Sequence, residues 1–398
     1  MTRSSVYFDY NATAPALPEV AEVVASMMIE GGNPSSVHDR GRRARARIEE
    51  ARRKVAALVG ASAKDVIFTG GGTEANALGL KGLIATQKIE RLVVSPTEHP
   101  SVLDLAKAVD VDVAFVPVDS DGLVERDAFC ALLESDQKTL VSIMLANNET
   151  GVIQPIRDLA KIAKSAGAFI HTDAVQAAGK IPVDFKDLGV DLLTLSAHKL
   201  AGPQGVGALV LKSGLALAPL THGGGQELGR RSGTENVAGI VGFGMAADIA
   251  LGKIQKNISS KDLRDGLEAA LLAAAPEAVV IGAGAPRLPN TILIGLPGVS
   301  ADAQVIQMDL AGFAVSSGSA CSSGKVSRSH VLDAMDVGDA LAGSAMRISL
   351  GWGTHEEQIA NFLDAWIKMR NRLSQHPATK HAPGASNAQV EGDARVAS

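Results

Sequence analysis

The chain has 398 residues, 46% of them hydrophobic, enough to bury a large core, and its length suggests two domains or one large domain with a smaller companion. A formal net charge of −5 gives no global electrostatic reason to expect nucleic acid or an anionic membrane as partner. Two cysteines exclude a disulfide framework, a four-thiolate zinc site and an iron–sulfur cluster site within one chain, so a cytoplasmic location is the default expectation and no resident metal is expected.

The amino terminus, MTRSSVYFDYNATAP, lacks the apolar stretch of a secretory signal. Asn33, in the turn GGNPSS, reads as turn chemistry alone. The basic segment RGRRARARIEEARRK, residues 40–54, also carries carboxylates and spaces its alanines helically, which predicts a solvated helix face. Short β-branched runs then alternate with amphipathic helical stretches: DVIFT, RLVVS, VDVAFVPV, TLVSIML, AFIHT, DLLTLS and GVGALVL. Such alternation predicts an α/β domain with a mostly parallel sheet and helices on both faces. Ligands of such sheets bind beyond the carboxyl ends of the strands.

The strand ends carry the chemistry. After DVIFT comes GGGTEANALGL, where glycines permit close backbone approach and Thr73 opens a helix whose first amides attract an anion, so Gly72 and Thr73 are candidate phosphate ligands. Neither the Walker pattern nor the dinucleotide fingerprint occurs. His99, in SPTEHPSV, follows the next strand, where an imidazole could stack on a flat ring or move protons; a lone histidine is more often structural. Cys130, in RDAFCALLES, sits among apolar periodic residues and reads as a small hydrophobe. Asn148, in LANNETG, follows another strand and is placed for an amino-acid substrate.

Asp173 closes the strand AFIHTD, and Gln176 stands three residues on, in position to hydrogen-bond a ring edge or substrate. The following strand ends in Ser196-Ala197-His198-Lys199 before a Gly/Pro turn. A lysine delivered to the binding edge can form a Schiff base with a carbonyl compound, above all pyridoxal phosphate, and Asp173 supplies the acid that such a cofactor's ring nitrogen needs. The alternatives are a lysine in solvent and an aspartate capping a helix. Ser196 and His198 are further candidate phosphate donors.

The longest apolar candidate, VAGIVGFGMAADIALG at 237–252, is short and contains Asp248, so no membrane partner is expected. After about residue 255 the pattern loosens to helix, strands AVVIG and NTILIGL, helix, strand FAVSS, helix, strand AMRISLG and a final helix over about 355–373, a smaller α+β domain. Cys321 lies in SSGSACSSGKV, where serine and glycine favour a solvated loop that suits a thiol meeting a partner, although an incidental loop cysteine fits too. Arg347 sits inside AMRISLG, where a guanidinium could hold a carboxylate bidentately. The last stretch has no periodic apolar face and is expected to be a disordered tail.

The segments YFDYNATAP, GGNPSSVH, TGGGTEAN, TEHPSV, NNETGVIQPI, HTDAVQAAGKIPVD, LSAHKLAGPQGVGAL, GGGQE, RRSGTEN, SSGSACSSG and RISLG resemble, in order, the signatures of NifS/IscS-type cysteine desulfurases of the class V aminotransferase superfamily. The resemblance covers roughly residues 6–352. It implies a pyridoxal phosphate (PLP)-dependent transferase fold type I, α/β. A large domain over 15–255 would hold a mostly parallel seven-stranded sheet, and 1–14 with 256–375 a smaller α+β domain bearing the cysteine loop, ahead of the tail 376–398.

It further implies that Lys199 carries pyridoxal 5'-phosphate, Asp173 pairs with the pyridine nitrogen, Gln176 with the ring hydroxyl, and His99 stacks on the ring and assists proton transfer. Gly72, Thr73, Ser196 and His198 would bind the phosphate, with Thr234 reaching into the neighbouring subunit of a homodimer. Asn33, Asn148 and Arg347 would hold the carboxylate of L-cysteine, and Cys321 would be the nucleophile that keeps the sulfur as a persulfide for an acceptor or iron–sulfur scaffold protein. Iron–sulfur ligation by Cys321 would arise only in a partner complex. Many relatives carry arginine after GGGQE, whereas this chain has Leu228, which bears on partner choice. The alternative is a related enzyme with the same cofactor: a selenocysteine lyase, a β-lyase or an aminotransferase.

Overall fold

The computed structural model describes residues 5–254, 258–318 and 328–375. Its strands, in chain order, are β1 (Val6–Tyr7), β2 (Val66–Thr69), β3 (Arg91–Val94), β4 (Asp112–Phe115), β5 (Thr139–Ser142), β6 (Phe169–Asp173), β7 (Leu192–Ser196) and β8 (Gly207–Leu211). The later ones are β9 (Val279–Val280), β10 (Thr291–Gly295), β11 (Phe313–Ala314), β12 (Ser316–Ser317) and β13 (Ala345–Ser349).

Seven strands form one sheet in the order β2-β8-β7-β6-β5-β3-β4, parallel except for β8, which runs against both neighbours. Strict alternation of side chains divides each strand between two cores. Val66, Phe68, Leu193 and Leu195 face one core, with the helices Asp39–Leu58, Ile156–Ser165 and Val237–Lys253. Ile67, Leu92, Leu192 and Leu209 face the other, with Gly72–Gln87 and Pro100–Ala108. Burial on both faces explains why these strands read as continuous apolar runs.

A four-stranded antiparallel sheet, β12-β13-β10-β9, forms with the helices Ile258–Ala274 and Glu356–Gln375 a separate core around Phe8, Ile292, Ile348, Phe362 and Trp366. The amino terminus is tied to this part of the chain, since β1 pairs in parallel with β11 and Asp9 bridges to Ser349. The run FAVSS is two strands rather than one: β11 pairs with β1 and β12 with β13, the chain passing between sheets at Val315. The helix Asp39–Leu58 departs from the expected solvated face at Arg52, which is 8% exposed. Its guanidinium grips both carboxylate oxygens of buried Glu227 at 2.7 and 2.9 Å and lies over the Phe68 ring. Among the described residues, no helix is long and apolar enough to cross a membrane, and no cluster of His, Cys, Asp and Glu could hold a metal ion.

Candidate active site

Three strands deliver their last residues to one edge of the large sheet. Asp173 ends β6 beside Thr194 of β7, and β7 continues through Ser196 into a tight turn, Ala197–Lys199. The antiparallel β8 lies between, so Gly207 faces both Ser196 and Thr69, the last residue of β2. The glycine loop after β2 therefore abuts the end of β7. Gly71 has φ 153°, and a Cβ added to Gly72 would come within 3.1 Å of Val175 and 3.4 Å of Ser196. Thr73 is exposed in the first turn of the helix Gly72–Gln87, where amides lack intrahelical acceptors.

Asp173 is 6% exposed and held from two sides, accepting from Val175 N–H at 2.9 Å and from Asn76 Nδ2 at 2.8 Å. Asn76 also donates to Ser101 Oγ at 2.9 Å, which leaves the Ser101 hydroxyl proton for His99 Nδ1, 2.9 Å away. Because His99 Nδ1 also accepts from Ser101 N–H, capping the helix Pro100–Ala108, the network assigns the imidazole proton to Nε2. The carboxylate and the imidazole are thus the two ends of one hydrogen-bonded chain, Asp173–Asn76–Ser101–His99.

The Lys199 ammonium donates to two main-chain carbonyls, Asn11 and Ala12, the latter at 2.6 Å. Burial and then the charge of Arg347 push its pKa down to about 8, with Asp9 and Asp173 opposing. His198 bonds Thr13 Oγ1 at 3.1 Å, and burial followed by Lys199 pushes it to about 4, so it is neutral at pH 7. Gln176 Nε2 donates to Asn11 O at 2.9 Å, and Gln176 Oε1 accepts from Lys180 Nζ at 2.7 Å.

Arg347, on β13, is 2% exposed. Its fork donates to Asn148 O at 3.1 Å and to Asp9 Oδ1 at 2.7 Å, while its Nε has no partner among the described residues. Asp9 Oδ2 accepts from Ser316 Oγ at 2.8 Å. Asn148 thus meets Arg347 through its main chain. Two expected site residues stand apart in this chain: Asn33 is exposed, its side chain accepting from Ser35 N–H at 2.9 Å, and Thr234 is exposed ahead of the helix Val237–Lys253. The segment before Thr234 is nonetheless tied to the glycine loop, because Arg231 pairs with Glu74 at 2.8 Å and Glu74 accepts from Gly70 N–H at 2.7 Å. Cys321 lies outside the described residues.

The structure adds groups that sequence reasoning passed over. Glu98, directly before His99, is completely buried; burial and then Asp173 raise its pKa well above the ordinary value. Its Oε1 accepts from Met144 N–H, its Oε2 has no partner among the described residues, and its main-chain oxygen accepts from His330 Nε2 at 2.9 Å. Glu149 accepts from Ser329 Oγ at 2.6 Å, and burial raises it to about 7 against the opposing effects of that bond and of Arg347. Asn11, Asn76, Lys180, Glu98 and Glu149 all fall in or beside the quoted motifs; Asn76 carries a signal in its spacing, one helical turn beyond Gly72 on the same face.

This donor set fits pyridoxal phosphate. It offers a lysine with lowered pKa and, among the described residues, no carboxylate bonded to its ammonium, a fixed carboxylate for a ring nitrogen, a carboxamide N–H, an imidazole, and a glycine cradle that a Cβ would fill.

The aminotransferase class-V family model matches residues 6–362. The chain is 42% identical over 378 residues to the cysteine desulfurase IscS of Dictyoglomus turgidum, covering 93% of this chain and 96% of the relative. It is 40% identical over 363 residues to the cysteine desulfurase NifS of Azotobacter vinelandii, covering 89% and 90%. The solved NifS-like protein of Rickettsia africae superposes with a TM-score of 0.86 at 37% identity, over 92% of this chain and 99% of that one. The structure of SspA in complex with cysteine superposes with a TM-score of 0.75 at 31% identity, over 86% and 98%. The chain belongs to the aminotransferase class-V family, among its NifS/IscS-like cysteine desulfurases.

Proposed function

We infer that this chain is a pyridoxal phosphate-dependent cysteine desulfurase that converts L-cysteine to L-alanine and keeps the sulfur on Cys321. The observation that carries the reading is the convergence of Lys199, Asp173, Gln176 and the Gly72 cradle at one sheet edge, with Arg347 reached through Asn11 and Asn148. When bound, the cofactor supplies a ring that takes up electrons from the substrate carbon.

Lys199 holds the cofactor, and its lowered pKa favours the free amine needed to form that bond. Asp173, fixed by Asn76 and Val175, would pair with the ring nitrogen and keep it protonated, and Gln176 would donate to the ring oxygen. His99 would stack on the ring, and with its Nδ1 engaged by Ser101 its Nε2 is the atom left to move protons. Gly72, Thr73, Ser196 and His198 receive the phosphate, and Thr234 of a second subunit completes it in a homodimer. Arg347 binds the substrate carboxylate with Asn148; among the described residues the exposed Asn33 makes no hydrogen bond to either.

In the sulfur step the Cys321 thiolate forms an S–S bond to the substrate sulfur, the substrate C–S bond breaks, and its electron pair takes a proton at carbon, giving alanine. A thiol or an acceptor protein then removes the sulfur from Cys321, in iron–sulfur or other sulfur-cofactor assembly in the cytoplasm. Leu228, where many relatives carry arginine, lies at the surface. It is 83% exposed, and positive φ at Glu227 (46°) and Leu228 (58°) turns it outward while Arg52 anchors Glu227 beneath it. The test is incubation with L-cysteine and a reductant: alanine and sulfide should appear one to one. Pyruvate and ammonia in place of alanine would overturn the reading in favour of a lyase.

A further inference from the structure

Seven residues beyond Asp173 stands a lysine whose partners are unusual for its charge. Lys180 Nζ donates to Gln176 Oε1 at 2.7 Å and to Asn11 Oδ1 at 2.8 Å, and no carboxylate pairs with it among the described residues. The charges that face it are cations, Lys199 and Arg347. Burial first, and then those two neighbours, lower its pKa well below that of an ordinary lysine. An apolar stem such as methionine would fill the same space without this penalty. The donor itself is therefore what the position requires.

Its effect follows from the acceptors. Lys180 Nζ lies between two carboxamide oxygens, so it donates to both, and the Gln176 atom that faces it is the carbonyl oxygen. Asn11 cannot turn to release it, because Asn11 Nδ2 is engaged by Asn148 O at 3.2 Å and Thr291 Oγ1 at 2.9 Å, which commits Asn11 Oδ1 to Lys180 and to Asn290 Nδ2. Gln176 Nε2 then points the other way, where among the described residues it meets one acceptor, Asn11 O, and keeps a second N–H. Lys180 and Gln176 are four residues apart in a chain of tight turns, with Lys180 N–H bonded to Ala177 O, so the contact is local.

We propose that Lys180 is a positioning residue that locks the Gln176 carboxamide with its N–H edge toward the cofactor, and so sets how strongly Gln176 donates to the ring oxygen. The assignment rests on the reading of Gln176 as that donor. A hydrogen bond to the ring oxygen stabilises the deprotonated, more anionic form of the lysine-linked chromophore. Weakening the bond therefore moves the pH midpoint of its visible absorption upward.

The experiment is a double-mutant cycle on the full chain reconstituted with pyridoxal phosphate, read as that midpoint. Lys180→Met should raise it by about half to one pH unit, Gln176→Leu by at least as much, and the double variant no further than Gln176→Leu alone. Lys180→Ala carries the same expectation should Lys180→Met fail to fold. An unmoved midpoint in the lysine variant overturns the assignment, and so does an equal shift with and without Gln176, which marks direct action of the charge. Absence of a visible band in the unaltered chain overturns the cofactor reading itself.

Discussion

Replacing Asn76 by leucine removes the link between Asp173 and His99 while nearly conserving shape. The variant loses a hydrogen bond to a buried carboxylate and one to Ser101 Oγ. A bond to a charged group contributes about 1.5–3 kcal/mol, and its loss leaves Asp173 held by Val175 N–H. Asn76 Oδ1, however, is buried without a partner among the described residues, and its removal recovers about 1–3 kcal/mol. The two effects nearly cancel in stability and do not cancel in function. Thermal unfolding should shift by no more than about 4 °C, whereas kcat/KM for alanine formation should fall about 10- to 100-fold, the equivalent of the lost charged bond. Wild-type kcat/KM with an unchanged melting temperature would refute the argument that Asn76 orients the acid.

Glu149 makes stability pH-dependent. Its folded pKa of about 7 lies above the ordinary 4.5, so its stabilisation is complete below about 4.5 and is lost as pH rises through 7. The rise from 4.5 to about 7 corresponds to an upper bound of about 3.5 kcal/mol. In urea unfolding between pH 5 and 8, Glu149→Gln should flatten this decline, and parallel curves for the two proteins would contradict it. Arg347→Lys keeps the charge but not the fork, and should raise KM for L-cysteine at least about tenfold with a smaller change in kcat; an unaltered KM would remove Arg347 from the carboxylate site.

The large sheet was legible because its strands, the edge strand β4 excepted, are largely buried on both faces and end in punctuating residues: Asp173, the Ser196–Lys199 turn and the glycines after Thr69 are all visible as strand ends. FAVSS was not divisible in advance, since its break at Val315 depends on β1, more than three hundred residues earlier in the chain. The same holds for Asn11, whose side chain joins Asn148, Lys180 and Thr291 across 137, 169 and 280 residues. In the sequence it is a polar residue in a loop; only the fold makes it the point where Lys199, Gln176 and Lys180 meet. Arg52 was misleading for the opposite reason, because its neighbours in the helix are exposed arginines and its partner Glu227 lies 175 residues away.

The central claim, that the sulfur of cysteine passes to Cys321, is tested most directly by mass spectrometry of the chain after a single turnover with L-cysteine. One sulfur should appear on the peptide containing Cys321 and none on Cys130, which sits on the helix Arg126–Leu133. Cys130→Ser should leave this transfer intact, whereas Cys321→Ser should still bind the cofactor yet lose alanine formation by several orders of magnitude. Sulfur found on Cys130, or alanine formed by Cys321→Ser at the wild-type rate, would contradict the account.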